Sequence, residues 1–484
     1  MYTDILIIGA GVIGCAVARE LSAYEASITV LDRACDVSEG ASKANTGLVH
    51  AGFDAEPGSM KAKTNVRGAA MFQDLCEELG VPYVQNGALV VGFEEEDRFV
   101  LEGLLKRGEE NKVEGLKILS GKEALKLEPN LNPNISYALS IPSAGITSPY
   151  ELTFALADHA AVNGVSFQFN QEVKNLNLDE DGLWRVTTNQ GEFTAKILIN
   201  CAGEQSAVLH NMISAEPLHI IHRRGQYYLL DRIQPVPFER TVFQCPTKMG
   251  KGVVVSRTVH NNMIIGPTAE DIEDGQDTST TAEGLKTVVE KSCLPWPGLA
   301  LRSTISNFSG IRAHEKGGDF IIGEVNGAKG AYEAVGIESP GLSAAPAIGE
   351  MLRGLIVKKE GLQKKASFVP PIKRPKPFNE MTVEEQAKAV EENPLHGHIV
   401  CRCEVVTEEE IRQAIRRPVG ATTLDGVKRR VRAGMGRCQG GFCSPKVIDI
   451  LSEELNLPKT EITKSGGQSY LLTGNITDAL KGEE

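Results

Sequence analysis

Four cysteines near the C-terminus are the side chains best suited to inorganic chemistry. They come as two close pairs, Cys401-Arg402-Cys403 and Cys438-Gln439-Gly440-Gly441-Phe442-Cys443. Four thiolates suit either zinc or an iron–sulfur cluster. Zinc sites usually put two or more residues between paired cysteines, so a single intervening arginine tilts against zinc. Gly440 and Gly441 let the second loop curl around a small core. From Cys401 to Lys446, ten Lys or Arg stand against five Asp or Glu, in a chain of net charge −12. Such cations would stabilise the reduced form of an anionic cluster. The segment lacks the interleaved aromatics of a nucleic-acid module.

A second constellation opens the chain. The apolar run Tyr2 to Ile8 breaks into Gly9-Ala10-Gly11-Val12-Ile13-Gly14, and Cys15 to Ser22 reads as a helix. A further apolar strand, Ser27 to Leu31, ends at Asp32. This is the order a dinucleotide-binding βαβ unit needs. Gly9 permits the tight turn, Gly11 lets backbone approach a pyrophosphate, and Gly14 lets helix and strand pack closely. The helix N-terminus then offers N–H groups to the phosphates, and Asp32 can accept hydrogen bonds from a ribose. The motif alone does not choose between FAD and NAD; its place at the start of the chain leans towards FAD.

The elements that would carry these groups follow in order. Ser38 to Gly52 is small and polar, a loop able to lie close to a flat ligand. Met60 to Leu79, Glu95 to Glu110 and Gly121 to Leu127 read as helices; Val81 to Phe93 reads as strands around a tight Asn86-Gly87 turn. Tyr150 to Asn163 is a predicted helix, then Val165 to Asn170 a strand, a hairpin-like meander to Thr188, and the apolar strand Phe193 to Asn200. Arg223 to Gly266 alternates and predicts an antiparallel sheet, continued at Leu301 to Arg312 and Phe320 to Glu324. Gly336 to Ser343 is another glycine-bearing turn opening a helix. Lys364 to Pro377 reads as a proline-rich linker. In the cysteine module, Thr407 to Ile415 predicts a helix with a Thr407/Glu410 capping box.

Composition sets the outer bounds. A length of 484 residues suggests two to four domains. The acidic balance argues against general nucleic-acid affinity. No run is long and apolar enough to span a bilayer, and the N-terminus reads directly as a strand rather than a signal peptide. The six other cysteines are isolated, which points to a reducing, cytosolic setting with one metal or cluster site.

Residues 3–354 resemble the D-amino-acid-oxidase-like flavoproteins of the glutathione-reductase type. The motifs are Gly9 to Gly14, Lys43 to Gly52 (KANTGLVHAG), Asn200-Cys201-Ala202-Gly203, Ser309-Gly310-Ile311-Arg312 and Gly336 to Leu342 (GIESPGL). Within that group the chain is most similar to FAD-dependent glycerol-3-phosphate dehydrogenases of the anaerobic type, with L-2-hydroxyglutarate oxidases close behind. Gly434 to Cys443 (GMGRCQGGFC) is similar to the bacterioferritin-associated-ferredoxin type of [2Fe–2S] domain.

The resemblance implies an α/β (α+β) chain: a Rossmann-type FAD-binding domain, an antiparallel-sheet substrate domain and a small iron–sulfur domain. The expected boundaries are 1–80, 145–215 and 325–360 for FAD binding, and 81–144 and 216–324 for substrate. A linker over 361–395, a cluster domain over 396–455 and a tail over 456–484 complete the set. FAD would be held by Gly9, Gly11, Val12, Ile13, Gly14, Asp32, Arg33, Ser42, Asn45, Thr46, Val173, Gly203, Gly341, Leu342 and Ser343. N–H groups of Gly341 to Ser343 would face the flavin pyrimidine. Cys401, Cys403, Cys438 and Cys443 would ligate the cluster.

His50 is the expected proton acceptor, because alcohol oxidation needs a base near neutral pKa. Arg312 is the expected anion clamp, since a planar guanidinium grips phosphate or carboxylate at two points. His314, Arg223 and Arg224 could also reach that pocket. Ala313 follows Arg312 where glycerol-3-phosphate enzymes often carry proline, a departure shared with the hydroxyglutarate relatives. The implied reaction converts sn-glycerol 3-phosphate to dihydroxyacetone phosphate. Electrons would pass through the cluster to a second flavoprotein or an NAD- or quinone-linked subunit, in the cytoplasm or at the membrane periphery. The alternatives are an L-2-hydroxy acid or amino or imino acid dehydrogenase, and a zinc-stabilised scaffold protein.

Overall fold

The computed structural model describes residues 1–246 and 252–474. The chain forms two compact units: Met1–Leu31 with Ser38–Lys373, and Asp32–Val37 with the chain from Arg374 onward.

The first unit is built on two large sheets. In one, Tyr2–Ile8 is central and pairs in parallel with Ile28–Leu31 on one side and Gly191–Asn200 on the other. Ala331–Val335 and Val165–Gln168 extend the parallel set. Phe320 to Glu324, expected in the antiparallel sheet, is corrected here: Ile321–Glu324 folds back antiparallel on the neighbouring strand Ala331–Val335 and so joins this sheet. Ile5, Leu6 and Ile7 are fully buried. That is why the strand reads as a continuous apolar run rather than an alternating one. Three helices, Val12–Leu21, Pro149–Val162 and Gly341–Glu360, pack together over this sheet. A Cβ on Gly349 would lie 3.0 Å from the Ala16 carbonyl oxygen, so the first and last of these helices touch through backbone. The predicted meander is present: Val173–Leu178, Trp184–Thr188 and Gly191–Asn200 pair antiparallel in sequence.

The other sheet has nine strands and is mostly antiparallel. Its backbone is the long pair Ile220–Arg232 and Thr304–Glu315, in register with Arg223 opposite Arg312 and Gly225 opposite Gly310. The Asn86-Gly87 turn is corrected here. Gly87 has a φ of +72, but the strands beside it enter different sheets. Tyr83–Val84 pairs with Gly145–Thr147, whereas Ala88–Gly92 pairs with Tyr137–Ile141 and, in parallel, with Thr241–Gln244. The cause is where the turn's own polar groups go. Gly87 donates its N–H to Ala144 and accepts from the Thr241 N–H, so distant partners replace the hairpin ladder.

The second unit packs Glu408–Arg416, Leu424–Val431 and Ser444–Leu455 around Val406, Ile411, Val427, Val447 and Leu451. The Thr407 hydroxyl accepts from the Glu410 N–H while Glu410 reaches back to the Thr407 N–H, the expected capping box. The Asp36 carboxylate, 2 % exposed, is buried in this unit against Arg430 at 2.7 Å and Arg429 at 3.4 Å. Among the described residues no helix is long and apolar enough to cross a membrane. Of the tail, residues 475–484 lie outside the described residues.

Candidate active site and cluster site

The glycine turn closes backbone on backbone. A Cβ on Gly9 (φ +106) would fall 2.3 Å from the Cys201 carbonyl oxygen, and one on Gly14 1.9 Å from that of Gly9. Any side chain at either position would push the helix off the strand. Gly11 caps Val12–Leu21 with no side-chain bond to the helix. Ser42 arrives at the same point and accepts the Val12 N–H at 2.9 Å. Ile13 and Val12 are buried in the helix they begin. Burial pushes the Cys201 thiol up to about 12, so it packs as a neutral group.

The other expected FAD residues are placed less directly. Asn45 fastens its own loop: its amide donates to the Ala41 and Ser42 carbonyls and accepts the Gly47 N–H. Thr46 follows it, half-buried. Val173 packs against the apolar cluster that contains Ile8 and Leu31. Gly203, with φ +59, starts a short turn after the Gly191–Asn200 strand. Asp32 and Arg33 fall in the second unit, where Asp32 accepts the Ala34 N–H at 2.8 Å.

Gly341 is the first residue of the helix Gly341–Glu360, and Leu342 is half-buried behind it. Ser343 joins this helix to the catalytic candidate: its hydroxyl accepts the His50 N–H at 2.7 Å. The Asn65 amide donates to the His50 carbonyl at 2.9 Å. His50 is therefore pinned through its backbone from two helices, and its ring tilts against Phe243 at 5.7 Å. It is 9 % exposed.

The substrate face comes from strand alternation. Gly310, Arg312 and His314 share one face of Thr304–Glu315. A Cβ on Gly310 would be 2.1 Å from the Ala44 carbonyl oxygen, so this face meets the Ser42–Thr46 loop. Arg312 lies across Gly225 opposite, where a Cβ would come 2.5 Å from its Nη2, and that nitrogen donates to the Thr268 carbonyl at 2.6 Å. Gly225 thus clears a floor on which the guanidinium rests, while Gly310 clears room for the Ala44 backbone. His314 bonds Glu338 at 2.8 Å, and Lys61 reaches the same oxygen at 2.6 Å. Burial opposes ionisation of Glu338, but Lys61 and His314 together hold it below the usual carboxylate range. Arg223 is held by Asp271, and buried Arg224 by Glu270 and Asp277. The Arg223 hydrogen bond keeps Asp271 low, with His314 and Arg312 adding to the effect.

Sequence reasoning missed Lys61, Asn65 and Glu338. Glu338 stands inside the glycine-bearing turn, where an acid is a visible signal; Lys61 and Asn65 are ordinary helix positions and carry none.

In the second unit, Cys401 ends the strand Ile399–Cys401 and Cys443 caps the helix Ser444–Leu455. The thiols of Cys403 and Cys438 are 3.6 Å apart, and Cys401 shares a hydrogen bond with Cys443. A Cβ on Gly436 would sit 2.3 Å from Cys403 Cβ, which is why that position is glycine. Among the described residues no three His, Cys, Asp or Glu side chains gather as one metal ion would require. A tetrahedral zinc would hold all four sulfurs about 3.8 Å apart, from a Zn–S bond of about 2.3 Å. Cys401, Cys403, Cys438 and Cys443 would supply the four thiolates that an iron–sulfur cluster takes. The surplus of cations is largely engaged elsewhere: Arg412, Arg416, Lys428, Arg429, Arg430 and Arg432 all sit in ion pairs.

Comparison with known proteins gives the family of each part of the chain. Residues 4–355 match the FAD dependent oxidoreductase family, and residues 399–453 match the BFD-like [2Fe-2S] binding domain. A glycerol 3-phosphate dehydrogenase of Caloramator mitchellensis is 45% identical over 475 residues, 97% of this chain and 98% of that protein. A glycerol 3-phosphate oxidase of Mycoplasma pneumoniae is 35% identical over 355 residues, 71% of this chain and 92% of the oxidase. The solved structure of dithionite-reduced L-alpha-glycerophosphate oxidase from M. pneumoniae, with FAD bound, superposes with a TM-score of 0.74 at 33% identity. It covers 78% of this chain and 100% of its own. The cofactors are FAD and a [2Fe–2S] cluster, and the zinc-scaffold alternative falls away.

Proposed function

The chain belongs to the FAD-dependent oxidoreductase family, and on that premise we propose that it oxidises sn-glycerol 3-phosphate to dihydroxyacetone phosphate and passes the electrons through its cluster to a separate protein. The observation that carries the substrate reading is the glycine-floored Arg312. Its guanidinium lies over Gly225 on the strand face that meets the Ser42–Thr46 loop. One N–H is taken by Thr268, and the remaining donors form a fork that matches a phosphate.

Bound FAD supplies the acceptor for the two electrons the alcohol loses. Gly9, Gly11, Gly14 and Ser42 would hold its pyrophosphate, and the first turn of Gly341–Glu360 its pyrimidine edge. His50 takes the proton of the substrate's C2 hydroxyl. Its backbone bonds to Ser343 and Asn65 keep the ring in place as that proton arrives. His50 is 9 % exposed and its ring packs against Phe243.

The electron exit rests on a contrast between relatives. About three quarters of this chain accounts for the whole length of the solved oxidase. The dehydrogenase relative matches almost end to end, through the cysteine module. The module therefore accompanies the protein named for an acceptor other than oxygen.

Anaerobic steady-state assays with an artificial acceptor test this reading. Glycerol 3-phosphate should turn over, and L-2-hydroxyglutarate and amino acids should not; no turnover of glycerol 3-phosphate overturns the substrate assignment. Replacing His50→Asn should lower kcat about a hundredfold to ten-thousandfold, the usual range for a lost general base.

A further inference from the structure

We propose that the loops around Cys403, Cys438 and Cys443 form the docking surface for an acidic electron-carrier protein. The proposal rests on the reading that electrons leave through the cluster, and names where and to what.

The four cysteines are not equivalent. Cys401 and Cys443 are buried, Cys438 is half-buried and Cys403 is exposed. The pair that reaches the surface is thus Cys403 with Cys438. Phe442, between Cys438 and Cys443, is 85 % exposed. Its ring packs into no core here, and covering it would remove apolar surface from water. Val405 is also exposed and is held at φ +52. A β-branched residue is disfavoured there, so the local fold tolerates strain to keep an apolar side chain outward beside Cys403.

Charge says what would cover these residues. Arg402, beside Cys403, and Lys446, in the helix that Cys443 caps, are exposed. The neighbouring acids are turned to other tasks: Glu404 is buried on Arg432 at 2.8 Å, and Asp449 is paired with Lys459 at 2.6 Å. No other acid lies between Gly434 and Lys446. A cationic rim on a chain of net charge −12 favours an acidic partner. It also sets the register of approach, as rim charges do. An aromatic anchor inside a polar rim is the usual make-up of a protein interface. An anionic membrane is the weaker match, because lipid-binding clusters carry about 4–8 cations.

The test uses full-length holoprotein, reduced anaerobically with dithionite so that no substrate turnover is needed. It is mixed by stopped flow with an acidic acceptor, cytochrome b5, and a basic one, cytochrome c. In either case one electron leaves the reduced cluster and converts ferric haem to ferrous. Added salt should slow the reaction with cytochrome b5 and not that with cytochrome c. Arg402→Glu with Lys446→Glu should slow cytochrome b5 about tenfold, a normal effect for reversing rim charges. Phe442→Ala should slow cytochrome b5 while leaving reduction of ferricyanide unchanged. Salt-independent rates with cytochrome b5, or unchanged rates in both variants, overturn the proposal. So does binding to phosphatidylserine vesicles that the same substitutions abolish, which would assign the patch to a membrane. Failure to oxidise glycerol 3-phosphate with these kinetics intact would strike the substrate reading alone.

Discussion

At the nucleotide turn, Gly9 and Gly14 contribute only backbone, and the site works because nothing stands at their Cβ positions. At the cysteine loops, Cys403 and Cys438 contribute sulfur, and the glycines around them exist to let the thiols converge. The first site is shaped by the omission of atoms and the second by their placement. They should therefore fail in opposite ways, one when a methyl is added and the other when a sulfur is removed.

The sharpest break of this contrast is reciprocal. Gly14→Ala puts a methyl 1.9 Å from the Gly9 carbonyl oxygen and should abolish FAD retention while iron content stays full. Cys438→Ser should abolish the cluster while flavin absorbance stays full. Both are read by flavin and iron analysis after desalting; joint loss of both groups from either variant would show that the sites do not form independently.

A smaller effect is expected where charge rather than a cofactor holds the second unit together. Asp36 is 2 % exposed beside two arginines. Asp36→Ala should destabilise by about 3–5 kcal/mol, because it strands buried cations. Urea unfolding followed by loss of cluster absorbance measures it, and a change below 1 kcal/mol would contradict the burial.

The first unit's counterpart is Glu338, and here pH is the lever. Its folded pKa is lowered by Lys61 and His314 against burial. Its contribution is present above the unfolded value of about 4.3 and is lost as pH falls through the lower folded value. Glu338→Gln should cost about 2 kcal/mol at neutral pH, the size of a charge-assisted hydrogen bond. That difference should shrink towards zero in acid, as thermal unfolding across pH would record.

The nucleotide turn and the cysteine pairs were legible because each is a local pattern. The Thr407/Glu410 capping box and the helices Met60–Leu79 and Glu95–Glu110 were legible for the same reason: their partners lie within a few residues. The Asn86-Gly87 turn misled because its flanking strands found distant partners. The cationic surplus misled because composition does not reveal that Arg430 faces Asp36 and Arg412 faces Glu408, Glu453 and Glu454.

The amino-acid order alone determined that a glycine turn would admit a nucleotide, that four cysteines would come as two close pairs in the chain, and that a helix would start at Thr407. Tertiary structure alone decided that Gly225 would lie beneath Arg312 and Gly310 beside Ala44, that Ser343 and Asn65 would fasten His50, and that Lys61 and His314 would share Glu338. Turns and caps are fixed by neighbours a few bonds away, whereas strand register and side-chain pairing depend on which distant segments bury their apolar faces together.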